Sequence, residues 1–239
     1  MKPNKFVATL ALAAAAALSG PASASPAITF DFSDLKHAGG GAGDLLPSEV
    51  LNSGYWKCTG GDLCSSDIDH GHFGGDLKYT VAGLTATATG FYHGHLVTAM
   101  QDHEGGWDPQ RHIGAGLGVY HEAHDNSDDN ITKGETLKLT FSQVVTLTGL
   151  SLRADGHTGN FEENTTFLLD GHSLKLSHDI NNLSLTGTEF TFSYGGRKAD
   201  QFYLGGVTVS PVPEPETGAM LVAGLGLLGW SARRRKRSV

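Results

Sequence analysis

Cysteine is scarce in this sequence: Cys58 and Cys64 are the only two among 239 residues. That excludes a small scaffold held together by several disulfides. Positive charge is scarce too, once the termini are set aside. Seven of the 17 Lys and Arg are Lys2, Lys5, Arg233, Arg234, Arg235, Lys236 and Arg237, and the ten left face 23 Asp and Glu before Pro213, a balance of −13. Such a body repels nucleic acid and anionic headgroups and suits solubility outside a cell. Catalytic signatures are missing as well. There is no G-x-S-x-G elbow, no H-E-x-x-H and no phosphate-binding P-loop, so the expectation is a protein that is not an enzyme. Between the termini there is also no stretch of helix periodicity and no repeat of fixed period.

What is present is concentrated first at the two ends. Lys2 and Lys5 precede an uncharged apolar run over residues 6–18; Ser19, Gly20 and Pro21 break it, and Ala22-Ser23-Ala24 forms an A-x-A site. Positive region, apolar region and small-residue site stand in the order of a secretory signal peptide over residues 1–24, cut by signal peptidase. The run is short of the ~20 residues that span a bilayer. At the other end, Pro213-Glu214-Pro215 precedes an apolar stretch over residues 218–230 and the cluster Arg233-Arg234-Arg235-Lys236-Arg237. An apolar segment closed by basic residues is a membrane segment whose tail stays cytoplasmic.

The tail resembles the PEP-CTERM sorting signal of Gram-negative bacteria, on Pro213, Glu214 and Pro215, the run 220–229 and the basic cluster. The resemblance implies that an exosortase, a membrane-embedded cysteine transpeptidase, recognises residues 211–239 and removes the tail. It implies transient anchoring in the inner membrane by a transmembrane helix, then delivery to the cell surface or extracellular matrix.

Residues 25–210 read as one domain. Alternation of apolar and polar residues marks strands at 27–32, 77–81, 84–91 and 135–141, with Leu137, Leu139 and Phe141 on the buried side. Further strands are expected at 96–100, 117–120, 144–152 after a brief turn, 166–169, 173–176, 189–194, 201–204 and 207–209. Asp170-Gly171 is the turn of a hairpin. Many short strands at close spacing predict an all-β fold, a single jelly-roll-like β-sandwich between the signal peptide and the hydrophobic sorting helix. Thr29-Phe30-Asp31-Phe32, Gly116-Leu117-Gly118-Val119, Asp128-Asp129-Asn130-Ile131 and the stretch from Gly134 to Phe141 are also similar to the sandwich domain of many PEP-CTERM proteins, which implies a fold more than a function.

Three groups of side chains invite chemistry. Export to an oxidising compartment favours a Cys58–Cys64 disulfide closing a small loop, with a two-cysteine metal site as the rival. Residues 122–130 hold the densest set of oxygen ligands, and calcium takes about six to eight. Asp128, Asp129 and Asn130 are the first candidate ligands, with Asp125 and Asn126 next. The segment lacks EF-hand spacing, and the plainer reading is an acidic loop built on Asx turns. The pairs His70/His72 and His93/His95 would each face one side of a strand and offer a transition-metal site. Trp56, Trp107, Tyr92 and Tyr120 offer a sugar-stacking platform or simply core. The leading expectation is a structural or adhesive protein of an exopolysaccharide layer or biofilm. The alternatives are a carbohydrate-binding module and, because carboxylates are plentiful, a secreted polysaccharide hydrolase.

Overall fold

Apolar residues at every second position draw one face of a strand into the core, and this periodicity organises the domain. The protein is represented by a computed structural model that describes residues 25–33, 49–50, 56–58, 62–102, 114–122, 129–213, 224 and 226. In chain order the strands are β1 (Ile28–Asp31), β2 (Glu49–Val50), β3 (Trp56–Lys57), β4 (Leu63–Cys64), β5 (Leu77–Val81), β6 (Leu84–Tyr92) and β7 (His95–Gln101). They continue as β8 (Leu117–Tyr120), β9 (Glu135–Ala154), β10 (Thr166–Leu169), β11 (His172–Lys175), β12 (Asp179–Tyr194) and β13 (Phe202–Pro211). One short 3-10 turn, Ile68–His70, follows β4. Pro26–Pro211 form one compact unit.

The fold is all-β, as the alternation predicts, and its layers are joined by continuous hydrogen bonding. β9 carries the closure. Its first half pairs with β6, from Tyr92↔Glu135 to Ala86↔Phe141. Its second half pairs on the same edge with β13, from Pro211↔Val145 to Phe202↔Ala154. The path β9–β13–β8–β7–β6 returns to β9, a barrel-like ring, while β12, β10 and β11 extend from the other edge of β9.

A turn near residues 142–143 is absent, and 135–154 run as one strand. Ser142, Gln143 and Val144 are exposed where the strand bends. Opposite them the register with β12 jumps between Gly187 and Glu189, and again between Asn181 and Leu185. Unmatched residues of this kind bend a strand and sharpen its twist, which lets one strand serve two layers. In the same way, the expected 189–194 strand begins at Asp179, and the two final strands are one.

Inside the ring sits an aromatic core. Phe141 meets Phe30 at 5.8 Å and Phe190 at 6.0 Å between ring centroids, both edge-on. Phe32 packs edge-on against Tyr79 at 5.0 Å. Tyr79 is fully buried, and its hydroxyl donates to Gln101 Oε1 at 2.7 Å, whose amide in turn donates to the Phe32 carbonyl at 2.8 Å. Three tight hairpins share one solution: Ala82-Gly83, His93-Gly94 and Asp170-Gly171 all have positive φ at both turn residues. That is the primed turn that matches strand twist, and only the Asp170-Gly171 pair announces it in sequence.

Candidate functional site

The disulfide lies at a corner of the domain. β3 and β4 pair with Trp56 opposite Cys64, and the Cys58 N–H donates to the Asp62 carbonyl at 3.1 Å. This short loop brings Cys58 and Cys64 to a Cα separation of 5.9 Å, and they are bonded. Their sulfurs are buried with Ile68, Met100 and Tyr120. Metal ligation by the two thiols is thereby excluded in this form.

Beside this corner the fold gathers carboxyl groups far apart in sequence. Asp62 precedes β4, Asp102 follows β7, Asp129 precedes β9 and Asp155 follows it. Asp62 is 6% exposed and Asp102 3%. Asp102 Oδ2 accepts the Ala115 N–H at 2.6 Å and faces His157 Nε2 at 3.4 Å. Burial, and after it the charge of Asp62, pushes the Asp102 carboxyl up to about 8; the two carboxyls are also hydrogen-bonded to each other. Ionising Asp102 would place a desolvated anion beside another acidic group, which is why its proton is held. Asp129 accepts the Tyr203 hydroxyl. Burial raises Asp129 to about 6 against that hydrogen bond, which pulls the other way. Burial and then Asp129 push the Tyr203 phenol upward in turn. Within this cluster Asp102 and Asp129 therefore hold their protons to higher pH than ordinary carboxyls.

A second buried polar group lies at the start of β9. Glu135 is 1% exposed. Its Oε1 meets His121 Nδ1 at 2.7 Å and its Oε2 accepts the Thr132 N–H at 2.7 Å. The His121 ring stacks on Tyr92 at 3.8 Å with planes 16° apart, and His93 packs against the same Tyr92 at 4.3 Å. Tyr92 thus serves as a partner for histidines rather than as an open stacking platform.

Of the five candidate calcium ligands, Asp129 turns toward Tyr203, and Asn130 is buried, its Oδ1 without a hydrogen-bond partner among the described residues. Asp125, Asn126 and Asp128 lie outside the described residues. Among the described residues no group of three His, Cys, Asp or Glu side chains is arranged to hold a metal ion. Neither histidine pair sits within one strand. His70 ends the 3-10 turn and pairs with Asp67 at 2.8 Å, His72 follows it, His93 is in a hairpin turn and His95 opens β7. Trp56 is 49% exposed, Tyr120 is buried with the disulfide, and Trp107 lies outside the described residues. Asp62, Asp102, Asp129 and Tyr203 carry no sequence motif, and topology alone brings them together; Glu135, in its own group with His121, carries none either.

β13 ends at Pro211, and Val212 and Pro213 continue without regular structure. Glu214, Pro215, most of the apolar run and the basic cluster lie outside the described residues, as does the signal peptide. Among the described residues no helix is long and apolar enough to cross a membrane. An all-β domain with one disulfide, followed by a proline-bounded segment, an apolar run and a basic end, defines an exported protein with a C-terminal sorting tail. Residues 211–236 match the family model described as the PEP-CTERM protein-sorting motif. The chain thus carries a PEP-CTERM protein-sorting motif, which supports an exosortase-targeted extracellular or surface protein. Comparison with curated proteins and comparison with solved structures each gave no match.

Proposed function

We propose that the domain acts outside the cell as a non-enzymatic structural or adhesive element of an exopolysaccharide layer or biofilm matrix. Signal peptidase would remove residues 1–24, the C-terminal segment would hold the chain in the inner membrane, and exosortase would then process it. The observation that carries this reading is the sorting motif at residues 211–236, since such a tail has a use only on a protein destined for the surface. The acidic body and the disulfide of the domain support the same destination. The test is fractionation of producing cells. The protein is expected to co-purify with the exopolysaccharide fraction and to be released when that polymer is digested. Recovery of all of it in the culture fluid, unaffected by digestion, would contradict the structural role.

A further inference from the structure

Strand register lines up an unusual outer surface on β1, β13, β9 and β12. Thr29, Thr208, Gly149 and Asn181 stand abreast across the four strands. One rung along, Asp31, Gly206, Ser151 and Asp179 stand abreast in the same way. Between the two rungs, Phe30, Val207 and Leu150 turn into the core. Both outer rungs therefore face away from the core, by the alternation of a pleated strand.

Each rung has a glycine on a central strand. A Cβ at Gly149 would make ordinary contact with Asn181 Oδ1 and the Ile180 carbonyl oxygen at 3.5 Å and with Thr208 Cβ at 3.6 Å, so the glycine keeps the floor between these neighbours low. Gly206 permits β1 to approach, since a Cβ there would come within 2.7 Å of the Phe30 carbonyl oxygen. The result is a trough of about 220 Å³ across the sheet, with Arg153 at one end. Its flanks are already ordered. Asp31 Oδ1 accepts the Ser33 N–H at 3.0 Å and hydroxyl at 2.7 Å, His178 Nδ1 meets Asp179 Oδ2 at 2.8 Å, and the Thr29 and Thr208 hydroxyls are 3.1 Å apart. Among the described residues, the side chains of Arg153, Ser151 and Asn181 make no hydrogen bond, so their donors and acceptors are open to a ligand.

The chemistry of this lining selects one class of ligand. Asp31 and Asp179 stand at opposite flanks, three strand spacings or ~14 Å apart, too far to share a metal ion. β13 and β9 have both edges paired here, so a peptide lying in the trough has no free backbone to join and could add as a strand only outside it, along β1 or β12. The apolar side chains turn inward, which leaves an apolar ligand nothing to bury against. A net balance of −13 repels polyanions such as nucleic acid. What remains is a ligand dense in hydroxyl groups. Carboxylates and the Asn carbonyl accept from such groups, while the guanidinium, the amide and the Ser and Thr hydroxyls donate. The cavity lies below the ~300 Å³ at which drug-sized sites begin, a size for one or two sugar rings.

We propose that this trough binds a saccharide segment of a neutral polysaccharide. The proposal rests on the surface role above for its biological setting and names the ligand class and site within it. The test uses the purified full chain in a detergent without a sugar headgroup, titrated with cellotriose, maltotriose, N,N′,N″-triacetylchitotriose and polysaccharide extracted from the producing cells. Amide resonances of Gly149, Ser151 and Gly206 are expected to shift on titration with at least one probe. Gly149→Val fills the trough floor at ordinary contact distance in a strand position, and exposed Asn181→Ala removes one open partner; each should weaken binding about tenfold or more in Kd. Circular dichroism of both variants checks that they fold, and Asn181→Ala decides the matter if Gly149→Val does not. No shift with any probe, or full affinity in both variants, overturns the trough. Binding elsewhere on the domain overturns it while leaving the adhesive role intact. Binding at the trough in a protein that digestion of the cell polymer fails to release supports the site and defeats the adhesive reading.

Discussion

Replacing Asp102 with asparagine should make the domain more stable at neutral and alkaline pH, against the usual cost of altering a buried, hydrogen-bonded residue. In the folded chain Asp102 keeps its proton up to about pH 8. In the unfolded chain a carboxyl loses it near pH ~3.9. The folded pKa is raised, so its stabilising contribution is complete below about pH 4 and is lost as the pH climbs toward 8, flattening beyond. Each unit of difference is worth ~1.4 kcal/mol, so between pH 4 and pH 7 this one group lowers stability by about 4 kcal/mol at most. Asp102 is 3% exposed, so water screens little of that. An asparagine has the shape of the protonated acid. Its carbonyl accepts the Ala115 N–H and its amide donates to Asp62, with no proton to lose. The groups facing it, namely Asp62, Asp129 and His157, are unchanged in both proteins. Denaturant unfolding of wild type and Asp102→Asn between about pH 5 and pH 9, at fixed ionic strength, isolates the difference. The variant should gain with pH on wild type by up to ~1.4 kcal/mol per unit and lead by several kcal/mol at the alkaline end, a melting shift of roughly 10 °C. Parallel pH profiles, or a variant less stable throughout, would refute the account of Asp102 as a carboxyl that burial keeps protonated.

Three further outcomes follow from the same structure. Glu135→Ala strands the Thr132 N–H and removes the buried partner of His121, and should cost about 3–5 kcal/mol in denaturant unfolding, while Glu135→Gln should recover part of it. Replacing both Cys58 and Cys64 with serine opens a loop with a sequence separation of 6 and should cost about 2 kcal/mol, read as a lower unfolding midpoint with unchanged slope. Calcium, proposed for the acidic residues at 122–130, should raise the melting temperature by roughly 5–10 °C over chelator at a hundredfold excess over Kd. A calcium shift that survives Asp128→Asn with Asp129→Asn places the ion elsewhere, and no shift in wild type removes it.

Strand content was legible in this sequence because alternation is local. Leu137, Leu139 and Phe141 declare their face within a few residues, and Asp170-Gly171 declares its turn by residue type. The continuity of β9 was not legible. Ser142-Gln143 has the polarity of a turn, and only pairing with two different neighbours keeps the chain extended through it. His93-Gly94 looked like half of a metal pair because its hairpin geometry depends on β6 and β7 pairing. The carboxyl cluster was hidden for a stronger reason. Asp62, Asp102 and Asp129 are acidic residues in an acidic chain, and nothing local separates those that topology buries from those it leaves in water. The trough depends on register, in which a shift of one residue would turn Thr29, Gly149 and Asn181 inward. By contrast the sorting tail is linear, and Pro213-Glu214-Pro215 with its apolar run and basic end is readable without any fold.

The mass of the surface-released protein tests the central claim most directly. Protein recovered from the outer face of producing cells, digested and sequenced at its C-terminus by mass spectrometry, should lack the residues 233–237, and Glu214→Ala should leave uncleaved chain in the inner membrane. Surface protein that retains Arg233-Arg234-Arg235-Lys236-Arg237 would contradict sorting by tail removal.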